Sequence, residues 1–249
     1  MKTKTSLVLS INVHENVNFL LRQLNNFKEY IVDDYQVVLS CNNYMYNVLK
    51  DIILPGNVII NPEVIDKQRF HGSLTHGMYS NMKHSYENFD FLYFVILSSR
   101  NLFYNKLTIS HLDSKQLICD NVDNFYQERH ETDYSRYHGW WWPKFLTTSL
   151  YKYFMSKNMK LSKSAHEGLV FHSNVCKNIL LFLEENNDIR SDLFASNYCV
   201  EEFSLQTIAS NLINLDDKYH GFVYIGHGCG TQKIIPSNPK LFVYKTIRI

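Results

Sequence analysis

The sequence predicts an α/β fold, a mainly parallel central sheet with helices on both faces, and three observations predict it. Strand-like and helix-like segments alternate through the first half of the chain at the spacing of βαβ units. One strand, Phe91 to Leu97 within FDFLYFVILSSRNLFYN (89–105), is a continuous apolar run rich in β-branched and aromatic residues. That is the pattern of a strand buried on both faces at a sheet centre. The run then changes abruptly to Ser98, Ser99, Arg100 and Asn101. Such a polar group marks the carboxyl end of a strand, where open α/β sheets bind their ligands.

The elements follow in order. SLVLSINV (6–13) reads as the first strand, and Asn16 as the N-cap of a helix carrying Phe19, Leu20, Leu24 and Phe27 on one face. YQVVLS (35–40) is the second strand. A helix with Met45, Val48, Leu49 and Ile52 runs on until Pro55-Gly56 stops it. Val58–Ile60 is a short third strand, and a helix over Gly72–Tyr86 leads into the central one. The second half is less regular. Tyr151–Met155 and Val175–Leu183 read as helices, with SAHEGLVFH (164–172) between them, and SNYCVEEFSLQTIASN (196–211) reads as a helix with Glu201 and Glu202 near its start. Repeats, low-complexity tracts and linkers are absent from the sequence. One domain over 1–249 is expected, in two halves, 1–110 and 111–249.

Composition narrows the function classes. The chain has 249 residues, 45% hydrophobic and 20% charged, with a formal net charge of +1. That balance gives no sign of a nucleic-acid-binding surface, which would be strongly basic. Five cysteines, widely spaced and without a CxxC pair, argue against a disulfide framework or a zinc site and for a reducing compartment. The basic, then apolar start MKTKTSLVLSINV is broken by Ser10 and Asn12 and has no small-residue cleavage site, so it reads as a strand and not a signal peptide. No run of about 20 apolar residues exists to span a membrane. A cytoplasmic location is expected, with peripheral membrane contact and oligomeric state left open.

Several residues carry chemistry. Glu202, placed in the first turn of a helix, would be held ionised by the macrodipole and available as a base, although acids are also favoured there for stability alone. Lys240, Lys245 and Arg248 could neutralise a diphosphate in place of a metal, or form a solvated basic tail. Trp140, Trp141 and Trp142 cannot all point one way, so one indole could meet a sugar face while the others pack in the core. Glu167, in HEGL, is an acid in an apolar setting. Among 11 histidines there is no HExxH and no tight His/Asp cluster, so no metal site is expected. An Asp-x-Asp metal clamp after the central strand is missing too, with Arg100 and Asn101 in its place. Neither a GxGxxG nor a P-loop fingerprint is present.

Six segments in order resemble the core-2/I-branching glycosyltransferases, the family that includes peptide O-xylosyltransferases. They are the first strand ending at Val13 and His14, VVLSCN (37–42), RFHGSLTHGMYSN (69–81), FVILSSRNLF (94–103), CVEEFSLQTI (199–208) and PKLFVYKTI (239–247). The chain departs from the family pattern at Asn42, His71, Asn101 and Tyr244. The resemblance implies a GT-A-like nucleotide-binding fold and an inverting, metal-independent transfer of a GlcNAc- or xylose-type sugar. The donor would be a UDP-sugar and the acceptor a glycan or lipid-linked glycan hydroxyl, in surface polysaccharide or glycoconjugate synthesis. It implies Glu202 as catalytic base and Lys245, with Arg248 or Lys240, on the donor diphosphate. Val13, His14, Asn42, Ser98, Ser99, Arg100 and Asn101 would line the nucleotide side, and Glu167 and Trp140 to Trp142 the acceptor side. No cofactor is implied beyond the donor substrate. Two alternatives stay open, another nucleotide-using α/β enzyme and a non-catalytic carbohydrate- or nucleotide-binding relative of the same fold.

Overall fold

The computed structural model describes residues 2–13, 16–69, 71–112, 117–119, 123–124, 147–159, 161–163, 166–213, 218–220, 223–224 and 243–245. Ten strands build its two larger sheets: β1 (Leu7–Val13), β2 (Tyr35–Cys41), β3 (Val58–Ile60), β4 (Tyr93–Ser98), β5 (Asn101–Phe103), β6 (Leu117–Cys119), β7 (Val170–His172), β8 (Lys218–His220), β9 (Val223–Tyr224) and β10 (Val243–Lys245). The helices are α1 (Val17–Tyr30), α2 (Asn43–Leu49), α3 (Ser73–Asn88), α4 (Ser149–Ser156), α5 (Ser173–Glu185), α6 (Asn187–Ala195) and α7 (Ser204–Leu212).

The main sheet has the order β8-β6-β7-β4-β1-β2-β3. Its pairs are parallel except those that β7 makes with β4 and β6. The fold is therefore α/β with a mainly parallel sheet, as expected. The purely parallel pattern of the first half stops at β7, which enters beside β4 in the opposite direction. A second sheet, β9-β10-β5, stands beyond the end of β4, with β10 antiparallel to β5.

β1 lies inside the sheet between β4 and β2, and every one of its residues is buried. Successive side chains of a strand point to opposite faces, and the two faces of β1 differ. Leu7, Leu9, Ile11 and Val13 pack with Leu20, Leu24 and Phe27 of α1 and with Met45 and Leu49 of α2. Val8 packs in the other core with Met78, Tyr79 and Met82 of α3 and with the inner faces of α4, α5 and α7. Helices thus cover both faces. A fully buried aliphatic or aromatic side chain contributes roughly 1.5–3 kcal/mol, so these two layers supply the fold's main stabilisation.

On the α3 face the apolar contact ends partway up. Ser10 and Asn12 of β1 follow Val8, and α3 answers with polar groups. The amide nitrogen of Asn81, fully buried, donates to Ser10 Oγ and to Val38 O, both at 3.0 Å. Its Oδ1 accepts from Asn61 Nδ2 at 3.0 Å. Asn12 Nδ2 donates to Leu74 O at 2.9 Å. The sheet therefore becomes polar towards its carboxyl edge while remaining packed.

Local signals explain the helix ends. Asn16 Oδ1 accepts from Phe19 N at 2.9 Å, the N-cap the sequence predicts. α2 ends at Leu49, earlier than Pro55-Gly56 suggested. The expected helix over 196–211 is divided. Residues Val200–Glu202 form one 3-10 turn, and α7 begins only at Ser204. Among the described residues no helix is long and apolar enough to cross a membrane.

Candidate functional site

The carboxyl ends of β1, β2 and β4 are level with one another. Val13 pairs with Cys41, and Asn12 with both Ser40 and Ser98. This edge brings together most of the sequence-predicted residues that fall within the described part.

At the end of β4 the chain turns tightly through Ser98–Asn101. Ser98, Ser99 and Asn101 are buried, Asn101 completely, and Arg100 is half-buried. Asn101 Oδ1 accepts from Ser98 N at 2.6 Å and closes the turn from inside. Asn101 then starts β5, where its register partner is Lys245 of β10. Lys245 is thus placed by its backbone beside the turn that ends the central strand.

Glu167 reaches the same edge by a different device. Gly168 N donates to Ile96 O at 2.7 Å and Ile96 N donates to Leu169 O at 2.8 Å, so two residues of one strand oppose one of the other. Gly168 has φ 81°, a left-handed conformation that glycine adopts without strain. This bulge leaves Glu167 buried just beyond the β4–β7 ladder, with His166 Nδ1 at 3.5 Å from its Oε2. The HEGL segment therefore sits at the sheet's edge because of its glycine.

Glu201 and Glu202 occupy the 3-10 turn before α7. Glu202 lies one residue before Phe203, the cap of α7, so the dipole acts on it from outside the first turn and not within it as the sequence predicted. Glu201 is buried, its carbonyl accepting from Gln206 Nε2 at 3.0 Å, while Glu202 is half-buried. Burial drives the Cys199 thiol well above its ordinary pKa; Glu201 and Glu202 push the same way and Arg69 opposes them. The two acids, the thiol and Arg69 therefore share one electrostatic neighbourhood. The segment that leads into this turn is tied to α3, since Gly72 N donates to Ser196 O at 2.7 Å. A β-carbon on Gly72 would lie 2.7 Å from Phe194 O, so only glycine lets the start of α3 meet the end of α6. The first amides of α3 are consumed locally, Ser73 N by His71 Nδ1 and Leu74 N by His71 O.

Other expectations fare differently. Asn42 Oδ1 accepts from Met45 N at 2.8 Å, so its oxygen serves as the N-cap of α2. His14, Trp140, Trp141, Trp142, Lys240 and Arg248 lie outside the described residues. Among the described residues no group of three metal-ligating side chains comes together. Cys41, Cys176 and Cys199 are buried free thiols.

Sequence reasoning missed Lys67. Its Nζ donates to Ser40 O at 2.9 Å and Ile65 O at 3.3 Å, fastening the 61–69 loop to the end of β2. Burial pulls its pKa down to about 8, against the opposing pull of Cys41 and Asp66. Burial likewise pushes the neighbouring Cys41 thiol up to about 11. Lys67 lies in a loop without periodicity, so no pattern marked it. Gln23 was also missed, although a glutamine on the apolar stripe Leu20-Leu24-Phe27 is a readable signal.

No protein-family model matches the chain, and no curated protein matches it. Among solved structures it is similar to the galactosyltransferase LgtC in complex with donor and acceptor sugar analogues. That likeness has 10% identity and a TM-score of 0.47, covering 96% of this chain and 86% of that one. An active-site mutant of LgtC is similar at 11% identity, with the same TM-score and coverage. The core-2/I-branching membership suggested by six short segments does not hold, since no family model and no curated protein matches the chain. The physical reason is that apolar strands ending in small polar residues recur in any α/β sheet, so segments of this kind specify a fold class and not a family.

Proposed function

We propose that the chain is a nucleotide-sugar-dependent glycosyltransferase that moves a sugar from a UDP-sugar to a glycan acceptor hydroxyl, with inversion. In this reading Glu202 takes the proton of the acceptor hydroxyl as its oxygen attacks the anomeric carbon. The bond from that carbon to the diphosphate breaks, and UDP leaves with the electron pair. A single displacement of this kind inverts the centre. Lys245, with Arg248 or Lys240, takes up the charge on the departing diphosphate, with no divalent metal required.

The observation that carries this reading is the register pairing of Asn101 with Lys245. It sets a cationic residue beside the polar turn at the carboxyl end of the central strand, where ligands bind in such sheets. The position of Glu167 at the same edge, and the tie between the start of α3 and Ser196 ahead of the Glu201–Glu202 turn, also support it. The GlcNAc or xylose donor was implied by the family resemblance alone and falls with it.

The test is a thermal-shift screen of nucleotide sugars followed by a donor-hydrolysis assay with and without EDTA. A ligand that binds only the folded state raises its melting temperature. A UDP-sugar that stabilises the protein and is hydrolysed in EDTA is the expected result. Stabilisation without turnover would make the chain a binding relative, and complete loss in EDTA restored by manganese would overturn the metal-free mechanism. No shift with any nucleotide sugar would overturn the reading altogether.

A further inference from the structure

Gln23 lies on the buried stripe of α1 and is itself fully buried. A polar group in such a place needs partners, and Nε2 finds both of its partners in one turn. It donates to Ser98 O at 2.9 Å and to Asn101 O at 2.8 Å. Those two carbonyls bracket the turn after the central strand, which Asn101 Oδ1 closes from within. Three residues on, and so on the same side of the helix, Asn26 grips the next strand. Its Nδ2 donates to Phe103 O at 2.9 Å and its Oδ1 accepts from Phe103 N at 2.7 Å.

α1 therefore holds the segment from Ser98 to Phe103 by four hydrogen bonds from two amide side chains. The turn cannot roll over without stranding buried carbonyls, which is costly. Its orientation is fixed so that three of its four residues are buried and Arg100 alone is half-buried. Of the turn's side chains, that of Arg100 is the one not fully enclosed.

We propose that Gln23 is a positioning residue, holding the turn so that Arg100 binds the diphosphate of the donor. The proposal rests on the nucleotide-sugar reading and names a residue pair within that site. A guanidinium suits the role because its planar fork meets phosphate oxygens with two parallel hydrogen bonds.

The experiment measures UDP and UMP affinity calorimetrically for the wild type, Arg100→Gln and Gln23→Met, with melting temperatures alongside. Arg100→Gln is expected to weaken UDP about ten- to hundredfold, the usual range for a charge-assisted contact, and UMP much less. Gln23→Met keeps the side-chain volume and removes the donor. It is expected to shift the UDP-to-UMP ratio in the same direction, a selective change that general loosening of the fold would not produce. Unchanged UDP affinity in Arg100→Gln would overturn the proposal, whatever the stability of the Gln23 variant. Loss of UDP and UMP binding in equal proportion in Gln23→Met would make Gln23 a structural residue only. Wild-type protein that binds neither nucleotide would overturn the nucleotide-sugar reading and this proposal with it.

Discussion

Gly77 of α3 lies directly against Asn12 of β1: a β-carbon at that position would collide with Asn12 Oδ1 and lie 2.8 Å from Lys67 Cε and 2.9 Å from Ser40 Oγ. Asn12 cannot swing away freely, because its amide is bonded to Leu74 O and it is buried. The missing side chain is what lets the helix cross the carboxyl ends of two strands at this distance.

The first prediction concerns Gly77→Ala. In an exposed helix this change would gain about 1 kcal/mol from propensity. Here overpacking costs about 1–3 kcal/mol, and the collision involves a short, anchored side chain. A fall in melting temperature of a few degrees is expected. A rise would mean that α3 can lift off the sheet at little cost.

A second prediction follows from Lys67. Its folded pKa, about 8, lies below the ordinary 10.5. Below about pH 8 the lysine is charged in both states and the full cost of burying the charge is present. Between the two values the unfolded chain holds the proton that the folded chain has lost, so stability rises with pH in that window. Lys67→Met removes this dependence. The stability of the wild type relative to the variant should grow by about 1–3 kcal/mol from pH 7.5 to 10.5. Urea unfolding across that range measures it, and a flat difference would show that the ammonium is well solvated.

Lys245 gives a third. If it meets the donor diphosphate, Lys245→Ala should weaken UDP binding about ten- to hundredfold and slow turnover. Calorimetry and donor hydrolysis measure the two effects separately. Unchanged values for both would leave the Asn101–Lys245 pairing as a structural feature of the small sheet.

The parts of this fold that were legible in the sequence are those set by local pattern. β1, β2 and β4 announced themselves as apolar runs, and Asn16 as a cap, because burial on both faces and capping leave marks within a few residues. β7 did not, since three residues reading Val170-Phe171-His172 carry no direction, and only the ladder with β4 sets them antiparallel. α6 was missed because its nine residues, Asn187–Ala195, bury only Ile189 and Leu193. At the site, residue type and strand end pointed to Ser98–Asn101 and Glu167. Asn42 caps α2 through Met45 N, a local contact of the same kind as that of Asn16, which the reading of the strand end passed over. That Lys67 reaches over the end of β2 to Ser40 O depends on residues far apart in the chain, which no local pattern encodes.

The last prediction is for Glu202→Gln, which keeps the shape of the side chain and removes its ability to accept a proton. If Glu202 is the general base, turnover should fall by about 10²–10⁴, the usual range for acid–base catalysis. UDP affinity and melting temperature should barely change, because the base meets the acceptor and not the nucleotide. Glu201→Gln is the internal control. In a 3-10 turn, with three residues per turn, neighbouring side chains diverge by about 120°, and Glu201 is buried while Glu202 is half-buried. Glu201→Gln should therefore show itself in the melting temperature more than in turnover. Glu167→Gln completes the set, since that carboxylate lies at the same sheet edge behind the Gly168 bulge. Near-full activity in Glu202→Gln with loss in Glu167→Gln would move the base from the turn before α7 to the end of β4. Loss in Glu201→Gln alone, at unchanged melting temperature, would keep the turn as the source of the base and change only which of its two acids faces the acceptor.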